Sequence, residues 1–173
     1  RARVWRWRTR TLLASLRPPG PVLSASFSSD DRFVVTAANS ASGQLQVWEI
    51  YDNEQDDVTG RRLATLRGHK GPCYDAAFSP DGKLIASACA EGGARLWDPA
   101  TGKTEDVRVE TRSAVTAAMT QDGSRLVTGD EQGTVQVWEV AGLSRGPAFE
   151  VRGAVNGVAF SPDGERLVTA NEN

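Results

Sequence analysis

Apolar and polar positions along this chain change over in short runs, none long enough for a helix of several turns. Cys73 to Phe78 reads as a strand of the kind that lines an interior, and Ser79-Pro80-Asp81-Gly82 then interrupts it. Proline fixes φ there and glycine allows a positive φ, which together make a turn. A second strand follows over Leu84 to Ala88, then a tight hairpin at Glu91-Gly92-Gly93, then a third strand over Ala94 to Trp97. Glu105 to Val109 supplies a fourth. Four short strands with turn signals every 8 to 12 residues predict all-β structure.

The unit recurs. Phe78, Met119 and Phe160 stand 41 residues apart and are followed by Ser-Pro-Asp-Gly, Thr-Gln-Asp-Gly and Ser-Pro-Asp-Gly. Phe27 with Ser28-Ser29-Asp30-Asp31 is a looser copy 51 residues upstream of Phe78. A fixed period of this length indicates a repeat architecture in which each unit covers its neighbour's apolar face. The predicted organisation is one repeat region over 1–173. It comprises partial repeats at 1–15 and 150–173 and whole repeats at approximately 16–66, 67–107 and 108–149. The 16–66 repeat is lengthened by two extra residues at Asn39 to Gly43 and an insertion at Tyr51 to Gly60.

Gly68-His69, the Ser-Pro-Asp-Gly turn, Ser87 and Trp97-Asp98 have the spacing of the WD-repeat β-propellers, and the chain resembles that family over nearly its whole length. The repeat style, with regular Ser-Pro-Asp-Gly turns and many arginines and alanines, resembles bacterial members. The resemblance implies blades of four antiparallel strands. Trp5, Trp48, Trp97 and Trp138 mark successive third strands, and Thr36, Ser87, Thr128 and Thr169 one second-strand position. In the family a histidine, this hydroxyl, the indole and a hairpin aspartate form a buried relay, as a buried indole N–H requires a partner. His69 is the only histidine; Pro18, Glu110 and Val151 take the equivalent places. Ser42, Glu91, Gln132 and Asn173 replace the aspartate. No copy has a complete relay, so apolar packing is expected to hold the blades.

Counting from Ala2–Trp7 to Leu167–Ala170 gives sixteen strands, about four blades' worth, with both chain ends assigned to one shared blade. Three outcomes stay open: a segment of a longer propeller, which the pattern favours; a four-bladed ring; or two copies forming eight blades.

Composition narrows the function class. A net charge of −2 exerts no global pull on nucleic acid or membrane, and no apolar run reaches bilayer length. Two cysteines are too few for a disulfide framework, so a reducing, cytoplasmic setting is expected. Cys73 and Cys89 lie on adjacent antiparallel strands joined by the 79–82 turn, close in space, and read as two small buried hydrophobes. A single histidine builds no His–His metal site, and no metal or cofactor is expected. A Ser87–His69 pair with Asp75 or Asp98 has the residue types of a hydrolytic triad, but the relay explains both residues without a pocket. Thr101-Gly102-Lys103-Thr104 joins two strands and lacks the earlier glycine of a phosphate loop, so it reads as a turn. Arg1, Arg3, Arg6, Arg8 and Arg10 interleave with Trp5 and Trp7. That composition suits nucleic acid, although a wet-faced edge strand produces the same alternation. The acidic run Asp52 to Asp57 lacks a calcium loop's glycine and terminal glutamate and reads as a solvated insertion.

Family members dock partners on the loops at one end of the blades. By position the resemblance places Leu23, Tyr74, Thr116 and Asn156 on that rim, with Pro21, Pro72, Ala114 and Ala154 two residues earlier. Ala41, Ala90 and Glu131 would come from the hairpins. The expected function is a non-enzymatic scaffold for a protein or peptide partner. A nucleic-acid binder using the arginine segment and a regulatory propeller fused to a signalling enzyme are the alternatives.

Overall fold

The computed structural model describes residues 1–51, 60–91, 93–101, 104–109, 113–142 and 144–172, with 104–109 described through their backbone. These residues form sixteen strands and no helix. β1 (Ala2–Arg6) pairs with β2 (Thr11–Leu16) in a two-stranded sheet. β3 (Val22–Phe27), β4 (Phe33–Ala38), β5 (Leu45–Glu49) and β6 (Arg61–Leu66) form the first four-stranded blade. The second comprises β7 (Lys70–Phe78), β8 (Ile85–Glu91), β9 (Gly93–Trp97) and β10 (Thr104–Val109). The third runs through β11 (Ala114–Met119), β12 (Arg125–Asp130), β13 (Thr134–Glu139) and β14 (Ser144–Glu150). β15 (Val155–Phe160) and β16 (Leu167–Asn171) make a second two-stranded sheet. All pairings are antiparallel between strands adjacent in sequence, so each blade is an up-and-down meander.

The apolar cores lie between blades. Val35, Leu45, Val47 and Leu66 of the first blade pack on Cys73, Ile85, Cys89 and Trp97 of the second. Ala86, Ala88 and Leu96 of the second meet Ala114, Ala117, Leu126 and Trp138 of the third. Val4, Ala14 and Leu16 cover Val34 and Trp48 at the first end. Val155 packs on Val127, Val135 and Val137 at the other. A sheet covered on both faces has no wet side, which is why β8 is buried at five successive positions from Ile85 to Cys89 instead of at alternate ones.

One expectation is corrected here. The chain ends do not share a blade, since β1–β2 and β15–β16 are separate sheets with no ladder between β1 and β16. A shared blade would also carry a local mismatch. In the third blade Arg125 of β12 lies opposite Glu139 of β13 and forms an ion pair with it at 3.2 Å. The same pairing between β16 and β1 would set Arg166 against Arg6, and like charges directly opposite destabilise a ladder. The Asp52–Asp57 insertion, Gly92, Gly102-Lys103, Glu110 and Asn173 lie outside the described residues.

Each repeated turn closes on itself. Ser28, Ser79 and Thr120 donate their hydroxyls at 2.6 Å to Asp30, Asp81 and Asp122, and Ser161 does the same to Asp163. Each hydroxyl then accepts the N–H of the first residue beyond the turn: Phe33, Leu84, Arg125 or Arg166. These bonds favour the carboxylate form, so all four aspartates sit below the usual carboxylate pKa, Asp122 at about 2. Gly82, Gly123 and Gly164 occupy the left-handed region at φ 72°, 70° and 71°, and Asp31 takes the same place at 60°. An L-residue pays roughly 1–2 kcal/mol there, and aspartate somewhat less. Asp31→Gly should therefore raise the unfolding free energy by about 0.5–1 kcal/mol in urea titrations. An unchanged midpoint would show that the aspartate is not strained.

Candidate functional site

Three blades carry the indole clasp. Trp48 donates Nε1–H to Thr36 Oγ1 at 3.0 Å, Trp97 to Ser87 at 2.8 Å and Trp138 to Thr128 at 3.1 Å. Each hydroxyl faces the carbonyl of the residue paired with it on the third strand: Gln46, Arg95 or Gln136. The fourth set is divided, because Trp5 and Thr169 sit at opposite ends of the array and no bond joins them among the described residues. Trp5 is 51% exposed.

His69 extends the clasp of the second blade, with Nε2 2.8 Å from Ser87 Oγ. A serine hydroxyl can accept from both the indole and the imidazole while its own proton goes to the Arg95 carbonyl. That network assigns the proton to Nε2 and leaves the Nδ1 lone pair without a partner. Glu91, at the place of the family's hairpin aspartate, points to solvent. His69 is buried, and desolvation, aided by the Arg95 guanidinium, pushes its pKa down to about 3. The imidazole is therefore neutral across the physiological range.

The hydrolytic grouping considered from sequence does not assemble. Ser87 and His69 are bonded but buried, and the carboxylates serve elsewhere. Asp98 closes its own turn on the Ala100 N–H and the Thr101 hydroxyl. Asp75 ties three inner strands together: it accepts from Ser24 of β3 at 2.9 Å and from the Thr116 hydroxyl and Ala117 N–H of β11, both at 3.2 Å. Nothing in the sequence distinguished Asp75 from a triad candidate. Its signal lies in hydroxyl residues at the matching places of the flanking repeats. Asp75→Ala should cost about 1–3 kcal/mol, since it strands a backbone donor at a blade seam. Asp75→Asn should cost less, a ranking that thermal melts can check.

The cysteines depart from expectation. Cys73 and Cys89 are directly opposed on β7 and β8 with Cα atoms 4.0 Å apart, and they form a disulfide. The expectation was two neighbouring but unbonded buried hydrophobes. Cross-strand register brings them together, and register follows from the 79–82 turn that the sequence already shows.

The inner strands each begin with a β-bulge, a residue left over between two paired ones. The bulged residues are Leu23, Tyr74, Val115 and Asn156. Three of the four expected rim residues thus occupy equivalent places. The third repeat is shifted by one: Thr116 is buried and turned to Asp75, as Ala114 is buried at a seam, and Val115 holds the outward position. Backbone bonds tie this end to the hairpins, from Asn39 to Pro21, Glu131 to Ser113 and Glu172 to Ala154. Leu23 is 46% exposed, Asn156 and Glu131 are exposed, and Tyr74 and Pro72 are half-buried. At the turn end, a groove of about 550 Å³ runs between the first two blades over Phe33, Leu63, Phe78 and Pro99.

The amino-terminal strands hold the densest positive charge. Trp7 is 77% exposed with Arg8 stacked on it at 5.3 Å.

Comparison with known proteins agrees with this architecture. Residues 10–49, 60–98, 107–139 and 147–173 match the WD40 family, described as WD domain, G-beta repeat. The serine-threonine kinase receptor-associated protein of Bos taurus is 34% identical over 92 residues, 53% of this chain and 24% of that protein. Striatin-4 of Mus musculus is 30% identical over 86 residues, 47% of this chain and 11% of its own. The WD repeat and SOCS box-containing protein 1 of Xenopus tropicalis is 31% identical over 99 residues, covering 57% and 22%. The chain therefore spans about a quarter or less of these relatives.

Proposed function

The chain belongs to the WD-repeat family, and from that premise we propose that it is a non-enzymatic platform whose bulged rim docks a protein or peptide. The observation that carries this reading is the row of bulged residues Leu23, Tyr74, Val115 and Asn156. A bulge leaves its residue outside the ladder and aims the side chain off the end of the blade. Hence a half-exposed leucine and an aromatic ring stand at repeated positions that the cores do not need. Aromatic and aliphatic anchors beside a polar edge, here Asn156 and Glu131, are the composition of an interface centre and rim. The relatives' names support the reading in general terms, one being described as receptor-associated.

The test is cross-linking mass spectrometry on tagged wild-type protein, repeated with a Leu23→Asp/Tyr74→Ala variant of unchanged circular dichroism. Loss of the cross-linked partner in the variant supports the rim. Retention of the same partner overturns it.

A second reading rests on the arginine segment, where exposed Trp5 and Trp7 offer stacking faces beside Arg8. A phosphate-driven complex weakens steeply with salt, so single-stranded oligonucleotide binding that is absent or flat between low and physiological salt would dismiss it. A regulatory role beside an enzyme domain concerns sequence outside this chain, and the flanking gene sequence tests it.

A further inference from the structure

We infer that His69, Cys73 and Cys89, with the disulfide reduced, form a binding site for a soft monovalent cation, Cu⁺. A ring nitrogen of His69 and the two sulfurs lie within 4.8 Å of one another, and all three residues are buried. Ser87 engages Nε2, so Nδ1 is the ring nitrogen left, a buried lone pair with no partner. An unsatisfied polar atom in an apolar core costs stability, and a ligand that accepts its lone pair removes that cost. The Nε2–H bond to Ser87 also orients the ring as the outer hydrogen bond of a metal-bound histidine does.

The donor set selects the ion. Two thiolates and an imidazole are soft to intermediate ligands, suited to Cu⁺ or zinc over magnesium or calcium. Structural zinc takes four ligands, whereas three converge here among the described residues, a number that suits trigonal Cu⁺. Metal–ligand bonds of about 2.0–2.3 Å place ligand atoms roughly 3.5–4 Å apart, so the two sulfurs must separate from their disulfide contact as the ion enters.

The chemistry balances with a dithiol reductant. The dithiol gives two electrons and two protons to the Cys73–Cys89 bond and becomes a disulfide itself. The two new thiols lose their protons to solvent as Cu⁺ forms two Cu–S bonds, and no oxidation state of copper changes.

The test uses the whole chain, reduced by a dithiol, desalted under argon and titrated with the Cu⁺–acetonitrile complex against the chromophoric chelator bicinchoninate. The expected result is one Cu⁺ held per reduced chain, with X-ray absorption showing two sulfurs and one nitrogen. The oxidised chain and a Cys73→Ala/Cys89→Ala variant with unchanged circular dichroism should both lose that retained copper. Equal retention by that variant, a sulfur-only shell, or tighter binding of Zn²⁺ than Cu⁺ would each overturn the assignment.

Discussion

Replacing Trp97 by alanine is expected to remove about 3–5 kcal/mol of folding free energy. The side chain is fully buried where the first and second blades meet, against Val47, Leu66 and Ile85. It is also the donor to Ser87. A domain of this size has some 5–15 kcal/mol in hand, so the variant should unfold near physiological temperature. Trp97→Phe separates the two contributions. It keeps most of the ring but loses the N–H, leaving Ser87 and His69 to pair with each other, and should cost about 1–2 kcal/mol. Trp5→Ala, at the repeat-equivalent but half-exposed position, should cost well under half of the Trp97→Ala loss. Urea unfolding of the three variants checks the order. Equal losses at Trp5 and Trp97 would show that the clasp position carries its own energy regardless of burial.

Acid should weaken the chain well before its carboxylates titrate. His69 is neutral when folded, with a pKa near about 3, against 6.5 when exposed. A base whose folded pKa is depressed is protonated first in the unfolded chain. Its contribution is therefore whole above pH 6.5 and is lost as pH falls from 6.5 toward 3. Each pKa unit corresponds to about 1.4 kcal/mol, so roughly 2–3 kcal/mol should have gone by pH 4.5. The turn aspartates act in the same direction but lower: their stabilisation is present above the unfolded carboxylate pKa and fades below about pH 4. Urea titrations at several pH values between 7.5 and 4.5 test this with a His69→Gln variant. The wild type should slope by up to about 1.4 kcal/mol per pH unit below pH 6, and the variant should be nearly flat there. Parallel slopes would mean that another group is responsible.

Much of the fold was legible because the turns and the period are written in residue types. Ser-Pro-Asp-Gly and its variants at 28–31 and 120–123 mark where each inner strand ends, and Trp97 marks the third strand. What escaped was whatever depends on register at a bulge. A bulge sets two residues against one, and taking Val115 as the first inner apolar residue, where Ala114 holds that place, moves the expected position one residue on to Thr116. The cross-strand disulfide escaped although the turn already makes the two cysteines neighbours, because direct opposition depends on register and a count of two cysteines argued for free thiols. Asp75 went unread although Ser24 and Thr116 hold its place in the flanking repeats, because only inter-blade packing brings these equivalent positions together.

Because the apolar cores lie between blades and not within them, the chain has no single centre of stability. In the isolated span 1–173, each four-stranded blade is gripped from both sides, while each two-stranded sheet is gripped from one. Opening should thus begin at the ends and travel inward as a graded unzipping, with backbone amides of β7 and β8 the slowest to exchange with solvent. Such a chain behaves less like a droplet with a nucleus than like a short stack, in which each layer's survival is set by the layers beside it.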